Sequence, residues 1–274
     1  MKVAIIQLAY GDDESVGERT ARVADLVRAQ AGHDLVVLPE LWPAGGFDYR
    51  HWDERAEAVD GPVATALAAA ARDARVTLHG GSIVERAAPH GTDGRGLFNT
   101  SLVFSPEGRL VATYRKIHRF GFGEGEPVLL DAGADLVLVD VPVRGASGDR
   151  ERSVRVGLST CYDLRFPELY RRLVDAGAEA FLVPAAWPMA RISHWTLLGQ
   201  ARAVEDQCVV IQCNTAGTHA RHEMGGHSQV VDATGKVLAL AGADEEVLSI
   251  DIDTSATAAW RDAFPVLTDR RLAT

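Results

Sequence analysis

The chain reads as an α/β protein of mixed, layered type. Three observations predict it. Short apolar runs of strand length alternate with amphipathic helical stretches from end to end. No linker, low-complexity tract or solenoid repeat divides them, so residues 1–274 are expected to form one domain. A hydrophobic content of 47% over 274 residues suffices for a sizeable core. Helices on one side of each sheet would require two sheets to pack against each other.

The elements follow in order. Val3–Leu8 reads as a first strand bounded by Gly11. Ser15 to Gln30 reads as a helix, with Val16, Val23, Leu26 and Val27 on one face and Ser15 as its cap. Leu35–Leu38 is a buried strand closed by Pro39, and Pro62–Arg75 a helix with proline near its first position. Val76–Val84 is a strand interrupted by Gly80-Gly81. Thr100–Phe104 and Leu110–Tyr114 form a hairpin around Ser105-Pro106-Glu107-Gly108. Leu136–Val141 and Val154–Leu158 are strands, with Arg144–Arg152 between them a polar surface loop. Pro167–Ala176 and His194–Glu205 are helices; Phe181–Val183 and Val209–Gln212 are strands. His227–Val231 and Lys236–Leu240 form a second hairpin, Val247–Ile252 the last strand and Thr254–Ala263 a short helix, before a surface tail.

Charge and cysteine count narrow the function. A formal net charge of −10 argues against nucleic-acid or anionic-membrane partners. Three cysteines give no disulfide framework and suggest a reducing, cytoplasmic setting. The start, MKVAIIQLAYGDDE, is too short an apolar run for a signal peptide, and no run approaches ~18 apolar residues, so no membrane span is expected.

Open α/β folds place chemistry just past the C-terminal ends of strands. Glu40, Lys116, Cys161 and Trp187 share that address. A thiol attacks, a base takes its proton and a fixed cation stabilises an oxyanion, so a carboxylate, an amine and a thiol suit nucleophilic catalysis. Cys208 and Cys213, in CVVIQCN, read as structural. A Cys–His pair with His118 or His194 as base stays open. His219, His222 and His227 have ligand-like spacing, but no thiolate lies near them and no metal is expected.

These residues make the chain recognisable. It resembles the nitrilase, or carbon–nitrogen hydrolase, superfamily through Leu38-Pro39-Glu40-Leu41, through Tyr114-Arg115-Lys116-Ile117-His118, and through the run from Ser159-Thr160-Cys161 to Phe166-Pro167-Glu168. His194-Trp195, Gln200 to Gln207 and Gly226-His227-Ser228 add support. The resemblance implies an α-β-β-α four-layer sandwich and a homodimer or higher homo-oligomer. It implies a Glu40–Lys116–Cys161 triad, with Glu126, or its neighbour Glu124, as a second glutamate. It implies a thioester intermediate with the oxyanion held by Lys116 and the backbone N–H of Tyr162, and no cofactor. Tyr162-Asp163 after the nucleophile looks like the amidase side, closest to omega-amidase-like members that act on small carboxylate-bearing amides. Such a substrate needs a second cation, for which Arg191 is the candidate, or else Arg191 lies over Trp187 or Trp195 as a surface residue. Trp187, Phe120 and Phe122 are expected to wall the pocket. Asp163, Arg165 and Glu168 are expected to brace the turn. An N-carbamoyl hydrolase or a nitrilase on the same scaffold, and a non-catalytic binding protein, are the alternatives.

Overall fold

The computed structural model describes residues 1–88, 91, 93–145 and 150–272. In chain order the first half gives β1 (Lys2–Gln7), α1 (Val16–Arg28), β2 (Leu35–Val37), α2 (Pro62–Ala74), β3 (Thr77–Arg86), β4 (Leu97–Phe104), β5 (Leu110–Arg115) and α3 (Glu126–Leu129). The second half gives β6 (Leu138–Arg144), β7 (Arg150–Leu158), α4 (Pro167–Asp175), β8 (Ala180–Pro184), α5 (Ile192–Asp206) and β9 (Val209–Cys213). It continues with β10 (Thr218–His219), β11 (His222–Glu223), β12 (Gln229–Val231), β13 (Val237–Leu240), β14 (Glu246–Asp251) and α6 (Ala256–Ala263).

Two six-stranded sheets result, in the orders β14-β1-β2-β3-β4-β5 and β13-β12-β9-β8-β7-β6. In each, three neighbouring strands are parallel and the flanking strands antiparallel. Strand parity decides the layering, because successive side chains leave a strand on opposite faces. On β1, Val3 and Ile5 enter a core shared with Val156, Leu158, Leu182 and Ile211 of the other sheet. Ala4 and Ile6 face α1 and α2, packing with Val23, Val27, Val63 and Leu67. On β8, Leu182 joins the shared core, while Phe181 and Val183 pack under α4 and α5 with Leu173, Tyr170 and Trp195. The layers are therefore α-β-β-α, and the expected sandwich is present.

Local chemistry sets the helix ends. Ser15 accepts from Glu18 N, and the Glu18 carboxylate accepts from Ser15 N, which satisfies two otherwise unpaired donors of α1. Pro62 opens α2 and Arg75 closes it in the left-handed region.

Some boundaries differ from the sequence expectations. The Arg144–Arg152 connection is largely strand, because β6 runs to Arg144 and β7 starts at Arg150; residues 146–149 lie outside those described. The Gly80-Gly81 step does not end β3 but bulges it between His79 and Ser82. Gly81 has φ +67°, and a Cβ there would stand 1.9 Å from the Pro39 carbonyl oxygen, so glycine is required. The short α3 has no counterpart in the sequence reading. Among the described residues no helix is long and apolar enough to cross a membrane.

Candidate active site

The bulge in β3 prepares the first site residue. It brings Ser82 Oγ within 2.9 Å of Leu41 N and holds the turn that follows β2. Glu40 leaves that turn and is buried, as are Lys116 just past β5 and Glu126 at the start of α3. Cys161 follows β7 at φ +48°, a left-handed conformation that a non-glycine residue adopts only under constraint. The structure thus brings together four residues spread over more than a hundred positions.

Their contacts form one network. Lys116 Nζ donates to Glu40 Oε1 at 2.7 Å and to Glu126 Oε2 at 2.8 Å. Asn99, buried on β4, donates through Nδ2 to Glu40 Oε1 at 2.8 Å and to Glu126 Oε1 at 2.7 Å. Phe120 N also donates to Glu126. Glu40 Oε2 accepts from Ala186 N at 2.8 Å, which ties the first sheet to the chain just past β8. Of the two candidates for a second glutamate, Glu126 meets the lysine, and Glu124 is exposed in the preceding turn.

Burial governs the charges. It alone pulls the Lys116 ammonium down, but Glu126 and Glu40 outweigh it and hold the group well above its ordinary value. Burial pushes the Cys161 thiol well up, and the charge of the Glu40 carboxylate adds to that rise. Burial also raises Glu126 against the pull of Lys116. The resting pair is therefore a neutral thiol beside a base, not a preformed thiolate.

Asp163 braces the nucleophile turn, as expected, and does more. Fully buried, it accepts from Thr160 N at 2.8 Å and from the Tyr114 hydroxyl at 2.7 Å. It also accepts from His118 N at 2.9 Å and meets His118 Nδ1 at 2.7 Å. Tyr114 and His118 flank Lys116 in sequence, so one carboxylate links the lysine strand to the thiol turn. Glu168 is exposed at the start of α4 and makes none of these contacts. Neither histidine of the Cys–His alternative is free to serve Cys161. His118 is bound to Asp163 and stacked on Phe166 at 3.8 Å, and His194 Nδ1 faces Arg165 at 3.3 Å.

A narrow cleft opens over the thiol, lined by Phe47, Phe120, Tyr162, Arg165, Trp187 and Arg191 among others. The Arg191 guanidinium lies 5.3 Å from the Phe120 ring, and that of Arg165 lies 4.7 Å from the Trp187 ring. The Arg191 backbone carbonyl accepts from Trp187 Nε1. Phe122 is a correction: it is 82% exposed and stands edge-on to Phe120, outside the lining, because left-handed Gly121 and Gly123 turn it outward. Arg165 corrects a second expectation, since it lines the cleft besides flanking the turn.

Sequence reasoning missed Asn99, Phe47 and the cleft role of Arg165. A lone amide inside the apolar run LFNTSLVF was the available signal for Asn99. Cys208 and Cys213 are buried in the cores. His219 stacks on Tyr10 at 4.5 Å, His222 lies against Phe47, and His227 Nδ1 meets the Gly225 carbonyl.

A four-layer sandwich thus holds a buried Cys–Glu–Lys cluster under a cleft walled by two arginines. The model of the carbon–nitrogen hydrolase family matches residues 2–262, and the chain belongs to that family. A 2-oxoglutaramate amidase of Paenarthrobacter nicotinovorans is 44% identical over 273 residues, covering 99% of this chain and 90% of the relative. An omega-amidase of Homo sapiens is 32% identical over 280 residues, covering 98% and 95%. Among solved structures, a CN-hydrolase superfamily protein of Xanthomonas campestris with an arsenic adduct in its active site superposes with a TM-score of 0.86 at 28% identity, covering 100% of this chain and 98% of that one.

Proposed function

We propose that the chain is an amidase that hydrolyses the terminal amide of a small molecule bearing a free carboxylate, of the kind named for its 2-oxoglutaramate amidase relative. One observation carries the carboxylate preference. Arg165 and Arg191 stand on the wall of the cleft that ends at Cys161, and among the described residues neither forms an ion pair with a carboxylate. A guanidinium facing a cleft without an internal counter-ion is suited to pair bidentately with a carboxylate brought by the substrate.

The reaction then follows from the contacts. Glu40 takes the Cys161 proton as sulfur attacks the amide carbon. The carbonyl oxygen becomes an oxyanion held by Lys116 and the Tyr162 N–H. As the C–N bond breaks, Glu40 passes its proton to the nitrogen and ammonia leaves. A thioester remains on Cys161. Water attacks it while Glu40, steadied by Glu126, removes a proton; the C–S bond breaks, the thiol is restored and the acid departs. Trp187 and Phe120 wall the substrate.

Ammonia release from 2-oxoglutaramate, succinamate, a neutral amide, an N-carbamoyl amino acid and a simple nitrile tests this, with Cys161→Ala as the blank. Turnover of the acidic amides alone is the expected result. Carbon dioxide with ammonia from the carbamoyl compound, or turnover of the nitrile, would overturn the substrate assignment.

The same reading includes a homodimer in a reducing, cytoplasmic setting. Leu197 and Val204, two turns apart on α5, are exposed, as is Phe264 just past α6, an apolar surface that a second copy would cover. All three cysteines are free thiols, which suits such a compartment.

A further inference from the structure

Asn99 occupies the centre of the charge cluster without being charged. Its backbone carbonyl accepts from Lys116 N at 2.8 Å, which locks its strand to the lysine. Its side-chain nitrogen touches an oxygen of each glutamate, at 2.8 Å and 2.7 Å. Two carboxylate oxygens can be met only by a donor, so the atom between them is the amide nitrogen, giving one hydrogen to each. The other end of the amide, Oδ1, is buried with no hydrogen-bond partner among the described residues. An unpaired buried carbonyl is destabilising, a cost that leucine at the same place would avoid. The compensation must come from the donor half.

The charge count says what that half does. Two carboxylates and one ammonium share a buried pocket. A second cation would hold Glu40 ionised too firmly to accept a thiol proton. A third carboxylate would force a proton into the cluster. A neutral group with two hydrogens does neither. It steadies both carboxylates and fixes Glu40 through Oε1, while Oε2 accepts from Ala186 N.

We propose that Asn99 is a positioning residue that couples Glu40 to Glu126 and sets the proton affinity of Glu40 during the thiol and water steps. This rests on the amidase reading above. The titratable groups facing the pair are Lys116 and Cys161, with Tyr10, Tyr49 and Glu124 further out.

The test compares Asn99→Leu and Asn99→Ser with the wild type in two assays. One is kcat and KM for 2-oxoglutaramate against pH. The other is the rate of Cys161 alkylation by iodoacetamide against pH, with Cys161→Ala as the blank. Losing a donor to a carboxylate raises its pKa, so the acid limb of both profiles should move up by about one pH unit in Asn99→Leu. kcat should fall roughly 10- to 100-fold with KM little changed, and the single hydroxyl of Asn99→Ser should give a smaller shift. If the leucine variant does not fold, the serine variant carries the test. Limbs that stay in place while only the melting temperature drops would overturn the proposal. An active wild type with unmoved limbs sinks this inference alone. A wild type inactive on every amide, with a shifted alkylation profile, sinks the amidase reading and leaves the coupling of Asn99 to Glu40 standing.

Discussion

In the first sheet a lone antiparallel strand (β14), three parallel strands (β1, β2, β3) and an antiparallel pair (β4, β5) lie side by side; in the second, β6, then β7, β8 and β9, then β12 and β13 repeat that order. The contributions at the site nevertheless differ. The first sheet and the segments after it hold Glu40, Asn99, Lys116 and Glu126, all buried and mutually hydrogen-bonded. The second supplies the thiol on a constrained turn, the Ala186 N–H, and the half-buried Arg165 and Arg191 at the cleft. One sheet keeps the charges buried; the other presents the thiol and the two arginines that line the cleft. Reactive geometry is then a property of how the sheets pack, and Asp163 and the Glu40–Ala186 bond are among its fasteners.

Changes on the charged side should have the largest effects. Lys116→Met removes the cation shared by both carboxylates. It should lower kcat roughly 10³-fold as an oxyanion donor is lost. It should also destabilise the fold by about 3–5 kcal/mol, read by denaturant unfolding, because two buried carboxylates lose their counter-ion. Cutting the link between the sheets comes next. Asp163→Asn keeps the volume but presents an NH₂ to donors, and should lower kcat on the order of 10²-fold by misplacing the thiol relative to Lys116. A kcat within twofold of wild type would show that the turn holds itself. On the ligand-facing side, Arg165→Ala and Arg191→Ala should each raise KM for acidic amides about 10-fold and leave neutral amides unchanged. Equal effects on both amide classes would remove these residues from recognition.

The smallest effect lies away from the cleft. Burial holds His79 and His219 down at about 4, with Arg19 adding to the effect on His219. Below an unfolded value near 6.5 the unfolded chain binds protons that the folded chain refuses. The stability from these neutral histidines is therefore full above that pH and is lost as the pH falls toward 4, by roughly 1–3 kcal/mol for each. Urea unfolding at pH 7 and pH 4.5 should show the loss, and His219→Phe should reduce it.

Much of this was legible in the sequence, for physical reasons that can be named. Central strands buried on both faces read as continuous apolar runs, so Ile5-Ile6 and Leu35–Leu38 declared themselves. Glu40, Lys116 and Cys161 stood out as polar residues at the ends of such runs. Sheet order did not, because β1 pairs with a strand some 250 residues away, and pairing over that distance leaves no local signal. Asn99 was hidden for a related reason: its two partners are 59 and 27 residues distant. Arg165 read as a brace because it is close to the nucleophile, and only the 3-10 turn over Cys161–Arg165 shows that it reaches the cleft. Phe122 misled because an aromatic beside the lysine motif suggests a wall, whereas the glycines on either side decide where it points.

The pairing of β1 with β14 has a consequence for how the chain is made. Lys2 lies opposite Asp251, and the Met1 amino group bonds the Ile252 carbonyl. On one side β1 is completed only by β14, which the chain reaches after every other strand of that sheet. Until β14 is made, that flank of the sheet is an open strand edge, the kind of surface on which nascent chains join one another. A chain cut before β14 would keep Glu40, Asn99, Lys116, Glu126 and Cys161 and carry an unguarded edge.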